Sequence, residues 1–339
     1  MGNDQSAALP GRPALRLAAP RYQRLLREFA LLPVLAIVIV IGAVTANGFL
    51  SYDNIMGVLE QSSELAIVTL ALTIILIAGS FDLSLESTLG VAPLVCGWLI
   101  LPVSSGGGGV GLDPAIGLLM CFVVGAAIGV MNAFLVVKLR LNAFVVTLAV
   151  LILLRGVHLG ITNGGTLYDL PSSVIYLGTG KIAGLPASVL LAAGLFLIFG
   201  VVMRYHRIGR ALYAIGGNPD AARAAGVNVE RMMWGAFILA SMLAALAGIM
   251  LTGRLGAVTP DQGNNYIFTV FAAAVIGGVS LNGGRGSLVG ALTGVLLLGV
   301  ISNILILSQV PSFWIEAVYG VIILLALILA RLTGREEGS

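Results

Sequence analysis

Long apolar runs separated by short polar breaks dominate the chain. Continuous stretches near 30–49, 57–79, 84–102, 114–136, 142–162, 187–203, 233–253, 267–280, 288–308 and 313–331 carry almost no charge. A bilayer core about 30 Å thick takes ~20 apolar residues as helix, with a range of ~17–25. Most of these runs are long enough to cross. The stretch 267–280 is the exception, because about 14 residues at 1.5 Å each reach only about 21 Å. Apolar residues are continuous rather than alternating, which excludes a transmembrane β-barrel. The pattern predicts an all-α, polytopic membrane protein with about ten transmembrane helices.

Composition agrees. Of 339 residues, 58% are hydrophobic and 10% are charged, against roughly 25% charged in an average soluble domain. So few charges cannot coat a water-facing surface, which excludes a soluble enzyme, and so apolar a chain is not disordered. The 45 glycines, with small-residue repeats such as Ala240, Ala244, Ala245 and Gly248, suit close helix packing in lipid, where burial from water supplies no drive between helices.

Position matters more than the net charge of +3. With ten crossings and the N-terminus inside, the cytoplasm receives 1–29, 137–141, 204–232, the turn around Arg285 and the C-terminus. Those segments hold nearly all the Lys and Arg; Lys181 and Arg254 fall on the other side, and Arg155 lies within a span. A re-entrant segment at 267–280 would move Arg331 and Arg335 outside. The positive-inside bias therefore predicts both termini cytoplasmic. The expected organisation is a cytoplasmic N-terminal tail over 1–29, a transmembrane domain over 30–331 with a long cytoplasmic loop at 204–232, and a C-terminal tail over 332–339. Arg12, Arg16, Arg21, Arg24 and Arg27 make the first segment too long and irregular for a signal-peptide leader, and it reads as an uncleaved tail. Basic residues in scattered clusters are orientation signals and imply a lipid bilayer rather than a nucleic acid as partner.

Chemistry is sparse. The glycine–lysine pair Gly180-Lys181 is followed by Ile182, where a phosphate-binding loop needs Ser or Thr. His158 and His206 lie far apart with no metal-ligand spacing, and no nucleophile elbow occurs. Cys96 and Cys121 sit inside apolar runs and read as small buried hydrophobes. No catalytic residue, metal site or cofactor is expected.

The loop 204–232 carries the most informative local pattern. Asn218 suits an N-cap, Pro219 the first helical position and Asp220 the positive end of the helix dipole. Gly226 supplies a left-handed residue to end the helix. A two-turn helix over 219–225, roughly 10 Å long, follows. Its sides are Ala221, Ala222, Ala224 and Ala225, with Arg223 the one long side chain. A helix under ~12–15 residues is marginal alone in water, so it needs a partner surface, and small side chains let it seat deeply. The other reading is a capped connector lying on the membrane surface.

Three further features stand out. Gly79 to Ser84 interrupts two apolar runs, with Asp82 or Ser84 as caps for the next helix and Glu86 in its first turn. Phe81, Asp82, Ser84 and Glu86 therefore read either as a kinked element near a translocation path or its gate, or as a plain inward-facing turn. The turn at Asn282 to Gly286 follows the short run, and its glycines suit a tight turn. Arg155, mid-span, needs an anion; Glu60 and Glu64, four residues apart on one helix face, are the expected ion-pair partners, with Glu316 next.

Three stretches resemble the permease subunits of bacterial ABC importers for monosaccharides of the ribose/xylose/arabinose type. They are IAGSFDLSLES at 77–87, AIGGNPDAARAAGVNV at 214–229 and VIGGVSLNGGRGSLVGALTGVLLLGVISN at 275–303. Their order and the span pattern extend the likeness over essentially all of 30–331. The resemblance implies a membrane subunit that lacks ATP hydrolysis of its own, paired with a second copy in the bacterial cytoplasmic membrane. An extracytoplasmic binding protein would deliver the sugar. Cytoplasmic ATPase subunits would dock on Asn218, Pro219, Asp220, Ala221, Ala222, Arg223, Ala225 and Gly226. Phe81 and the pair Leu85-Glu86 depart from the residues usual in that family. Nucleosides or branched-chain amino acids are alternative cargoes, and an ion-coupled secondary transporter is an alternative class.

Overall fold

The computed structural model describes residues 31–332, so the tails at 1–29 and 333–339 and their arginines lie outside the described residues. Helices follow the apolar runs closely: α1 Leu32–Thr45, α2 Tyr52–Ile77, α3 Leu85–Ile100, α4 Pro114–Ala133, α5 Ala143–Thr162, α6 Ser172–Thr179, α7 Ala187–Tyr205, α8 Arg207–Gly217, α9 Pro219–Ala224, α10 Val229–Leu255, α11 Tyr266–Ile276, α12 Leu288–Leu307 and α13 Ser312–Leu332. A π-helical turn, Phe134–Lys138, extends α4. The described β structure is slight: the two-residue strands Lys181–Ile182 and Leu185–Pro186 pair antiparallel, and Leu167 bridges Val258. Six helices among the described residues are long and apolar enough to cross a membrane; α1, α3 and α11 are shorter apolar helices.

Local chemistry sets the boundaries. Ser51 caps α2 by accepting from the Asn54 N–H, Asp113 caps α4 from Ala115, and Asn142 caps α5 from Val145. Left-handed residues end two helices: Asn163 after α5 and Gly256 after α10.

The 27-residue α10, about 40 Å long at 1.5 Å per residue, runs through the centre and packs on α2, α3, α4 and α6. Its small-residue stripe does this work. Ala240, Ala244 and Ala245 are fully buried, and a Cβ on Gly248 would collide with the Leu89 carbonyl of α3. Helix α2 is its counterpart, with every residue from Ser62 to Ile77 buried. By contrast, α5 and α7 leave most of their apolar surface open.

Two helices are broken inside the structure. After α2 ends, Gly79–Ser84 is non-helical before α3 begins, and Asp82 and Ser84 are fully buried. Of the two readings of this stretch, burial disfavours the plain surface turn. Nor does either side chain cap α3; Asp82 Oδ1 instead accepts from the backbone N–H (3.0 Å) and hydroxyl (2.6 Å) of Ser84. After α10 the chain again has no helix over 257–265, and α11 starts beyond it. That is why the eighth apolar run is short: part of its path is non-helical backbone, with Val258, Gln262 and Gly263 buried against the bundle.

Candidate functional site

The two breaks meet. A Cβ on Gly263 would stand 2.6 Å from the Glu86 carbonyl, and one on Gly90 would stand 2.7 Å from that of Gln262. The segment 257–265 therefore lies against the first turns of α3. Since Leu89 faces Gly248, seven residues before the end of α10, this junction is buried roughly 10–15 Å in from that end.

Side chains pin it. Gln262 donates to the carbonyls of Leu89 (3.3 Å) and Gly248 (3.2 Å) and to the Thr252 hydroxyl (2.9 Å). His158 Nε2 lies 3.0 Å from the Thr259 carbonyl oxygen. Glu86 is 5% exposed, and its Oε2 accepts the Ile267 N–H at the start of α11 (3.2 Å). A carboxylate from the start of one half-helix thus sits on the positive end of the other. Around this point a notch opens, lined by Glu86, Ser87, Arg155, His158, Asp261 and Asn264 among others.

Arg155 does not pair with Glu60 or Glu64. Its Nη1 donates to Asn264 Oδ1 at 2.6 Å, while Glu64, 1% exposed, holds both Nε and Nη2 of Arg254 at 2.9 Å. The reason is register. Helices α2 and α10 lie side by side at the centre, whereas α5 packs on α3 at the periphery. Span-end position hid Arg254 as a partner in the sequence.

The fold sorts the asparagines in and beside the spans. Asn142 and Asn163 cap α5, Asn303 exchanges hydrogen bonds with Asn54 at 2.8–2.9 Å, and Asn132 donates to Asp82 and Ser84 in the core. Only Asn264 and Asn265 stand exposed beside the notch.

Phe81 closes the other side of the break. Its ring stacks on Phe271 of α11 and meets Phe144 of α5 edge-on, each at 6.2 Å between centroids. It joins the non-helical segment to both helices.

At the far end of the molecule lies the loop 204–232. Asn218 Oδ1 accepts from the N–H groups of Asp220 (2.9 Å) and Ala221 (3.0 Å), Arg223 pairs with Asp220, and Gly226 has φ +82°. Helix α9 therefore has the capped form its residues dictate. Pro219, Asp220, Ala221, Arg223, Ala225 and Gly226 are exposed, but Ala222 is 3% exposed and joins the core. Ala222, expected among the residues offered to a partner, thus packs on the chain's own bundle instead.

What precedes α9 is a close junction that sequence reading missed. A Cβ on Gly216 would collide with the Ile77 carbonyl oxygen and stand 2.5 Å from the Gly284 nitrogen. Gly284 N–H donates to the Ile77 carbonyl at 2.9 Å, and Tyr213 donates its hydroxyl proton to the Gly286 carbonyl at 2.8 Å. Helix α8 is thus locked both to the end of α2, where the non-helical segment toward Glu86 starts, and to the turn after α11. No group of three or more His, Cys, Asp or Glu among the described residues is placed to hold a metal.

A bundle of membrane-length helices with two helix breaks that meet, and with α8 held to the chain beside both, suits a transport permease. Residues 54–327 match the family described as branched-chain amino acid transport system / permease component, and the chain belongs to that family. Among its relatives, the ribose import permease protein RbsC of Escherichia coli (strain K12) is 32% identical over 90% of this chain and 94% of its own. RbsC of Bacillus subtilis (strain 168) is 33% identical over 88% and 90%. The L-arabinose transport system permease protein AraH of Escherichia coli (strain K12) is 33% identical over 91% and 92%. No solved structure gives a significant match.

Proposed function

We propose that this chain is the membrane-spanning subunit of an ATP-driven importer for a monosaccharide. Relatives named for ribose and arabinose support the sugar; the branched-chain amino acids of the family description are the competing cargo. The subunit works in the bacterial cytoplasmic membrane with a second copy of itself. Cytoplasmic ATPase subunits hydrolyse ATP, and an extracytoplasmic binding protein delivers the solute. About ten crossings with both termini inside fit the charge map. Lys138, Arg140, Arg204, Arg207, Arg210, Arg223, Arg231 and Arg285 all lie in segments at the α8–α9 end.

The observation that carries this reading is the glycine junction. Helix α9 offers the exposed face of Pro219, Asp220, Ala221, Arg223 and Ala225 to the ATPase. When the ATPase moves that face, α8 moves with it, because its contacts at Gly216 are backbone against backbone and have no flexible side chain to absorb displacement. The push reaches Gly79 and Gly283–Gly284 together. From Gly79 it passes along the non-helical segment, past Phe81, to Glu86 and the start of α11. Both broken helices are then displaced by a single input, which is what alternating exposure of a buried site needs.

Ala225→Trp tests the docking face in the reconstituted importer. A bulky ring on this exposed position leaves the bundle intact and blocks seating, so uptake should fall while membrane insertion persists. Normal sugar-stimulated ATP hydrolysis and uptake in that variant would remove the docking role. Ala222→Trp is unsuited to the purpose, since Ala222 is packed inside.

A further inference from the structure

Helices α1, α5 and α7 leave most of their length open. Helices α1 and α7 carry no charge before the last turn, as suits a span that faces lipid. Helix α5 differs. Arg155 lies about 18 Å from its start and about 10 Å from its end, and it is exposed. Its guanidinium is held on Asn264 Oδ1 at 2.6 Å, and among the described residues no carboxylate pairs with it. A charge at such depth faces protein or a water-filled cavity, not hydrocarbon. Asp261, in the same segment as Asn264, is also exposed and also has no ion-pair partner among the described residues. About three turns before Arg155, on the same face of α5, stands Phe144, 49% exposed, with its ring edge-on to Phe81. One open face therefore carries a cation, an anion and an aromatic ring.

We propose that this face of α5, with the segment 259–265, packs against a second copy of the chain about a two-fold axis, so that Arg155 of each copy pairs with Asp261 of the partner subunit; this rests on the two-copy import reading above. A two-fold interface uses the same patch on both sides, so the patch must complement itself. This one does. Its single cation and single anion are each unpaired within their own chain, and the two-fold turns them into two pairs. Asn264 occupies one N–H of Arg155 and leaves the guanidinium further donors for a carboxylate. Glu86, the other carboxylate nearby, is 5% exposed and already accepts the Ile267 N–H, so Asp261 is the anion that can reach outward. Phe144 extends the contact toward the start of α5 with an apolar ring that leaves no charge to satisfy. Asp261 and Asn264 both belong to the break after α10, so movement of that break makes or parts the two pairs.

Exchanging the charges between copies tests this. Full-length chains bearing one of two fluorophores are mixed in detergent micelles, and the dimer dissociation constant is read from energy transfer. Arg155→Asp alone sets two anions face to face and Asp261→Arg alone two cations, so each should weaken its own dimer about a hundredfold, tenfold for each pair lost. A dimer of one Arg155→Asp copy with one Asp261→Arg copy regains both pairs and should bind within about tenfold of wild type. Pairing inside one chain predicts no such recovery, since each copy keeps its own like charges. A mixed dimer no tighter than either variant alone, or wild-type binding by both variants alone, overturns the surface. Should either variant fail to fold, Arg155→Cys in one tagged copy and Asp261→Cys in the other, with Cys96 and Cys121 changed to Ala, take its place. A short bifunctional thiol reagent should then join the two tags in one product, and a dimer that yields none overturns the surface. Wild-type copies that never associate overturn the two-copy reading and the surface with it.

Discussion

The α9 end and the notch beside Glu86 are built in opposite ways. Helix α9 is specified by consecutive residues: Asn218 caps, Pro219 starts, Asp220 meets the dipole and Gly226 stops, all within nine positions. The notch draws Glu86 from α3, Arg155 and His158 from α5, and Asp261, Gln262 and Asn264 from the segment before α11. One is local and self-contained, while the other exists only once α3, α5 and α11 have packed. Between them runs the glycine junction, whose parts at 77–79, 216 and 283–284 lie far apart in the chain yet touch through backbone. A local element is thus joined to a non-local one through contacts with no side chain in them.

Breaking the connector should have the largest effect. Gly216→Leu places a branched side chain against the Ile77 carbonyl and Gly284, where nothing can rotate away, and overpacking typically costs ~1–3 kcal/mol and occasionally more. Uptake in proteoliposomes should be abolished, and the thermal midpoint in detergent should drop. Wild-type uptake in this variant would mean that α8 and the broken helices move independently.

Next comes the pair that fixes the central helices. Arg254→Ala leaves Glu64 buried without its cation, a change worth about 3–5 kcal/mol for a buried pair. Denaturation in detergent micelles should show the loss. The double change Glu64→Gln with Arg254→Gln should recover much of it, because an uncharged pair needs no counterion. If Arg254→Ala instead behaves like the double variant, the pair is not holding α2 to α10.

The smallest effect belongs to the docking helix itself. Asn218→Ala removes the acceptor for two N–H groups and should cost about 1 kcal/mol. Amide exchange confined to 219–225 should speed up, with the rest of the bundle unchanged. A global loss of stability on the same substitution would show that α9 is part of the core rather than an appendage on it.

Much of this was legible before any coordinates. The apolar runs located the long helices to within a few residues, because a membrane span is a continuous one-dimensional signal. Capping chemistry located α9 because it too is a rule about neighbours in sequence. Ala222 could not be read this way: its side chain is indistinguishable in sequence from Ala221, and only the packing of α9 onto the bundle makes one buried and the other free. The same holds for Asp82, which the sequence left either in a kinked element or in a plain turn and the fold draws fully inside.

The residues by themselves determined an all-helical membrane bundle, its helix positions and the capped form of α9, since each follows from composition, period or short-range capping. Tertiary structure alone decided which charges meet. Glu64 went to Arg254 and not to Arg155, and Asn264 was left beside the notch while other asparagines were consumed by caps and core contacts. Pairing at depth is set by which helices are neighbours and in what register, and neither is encoded in hydropathy or in the spacing along one strand of sequence.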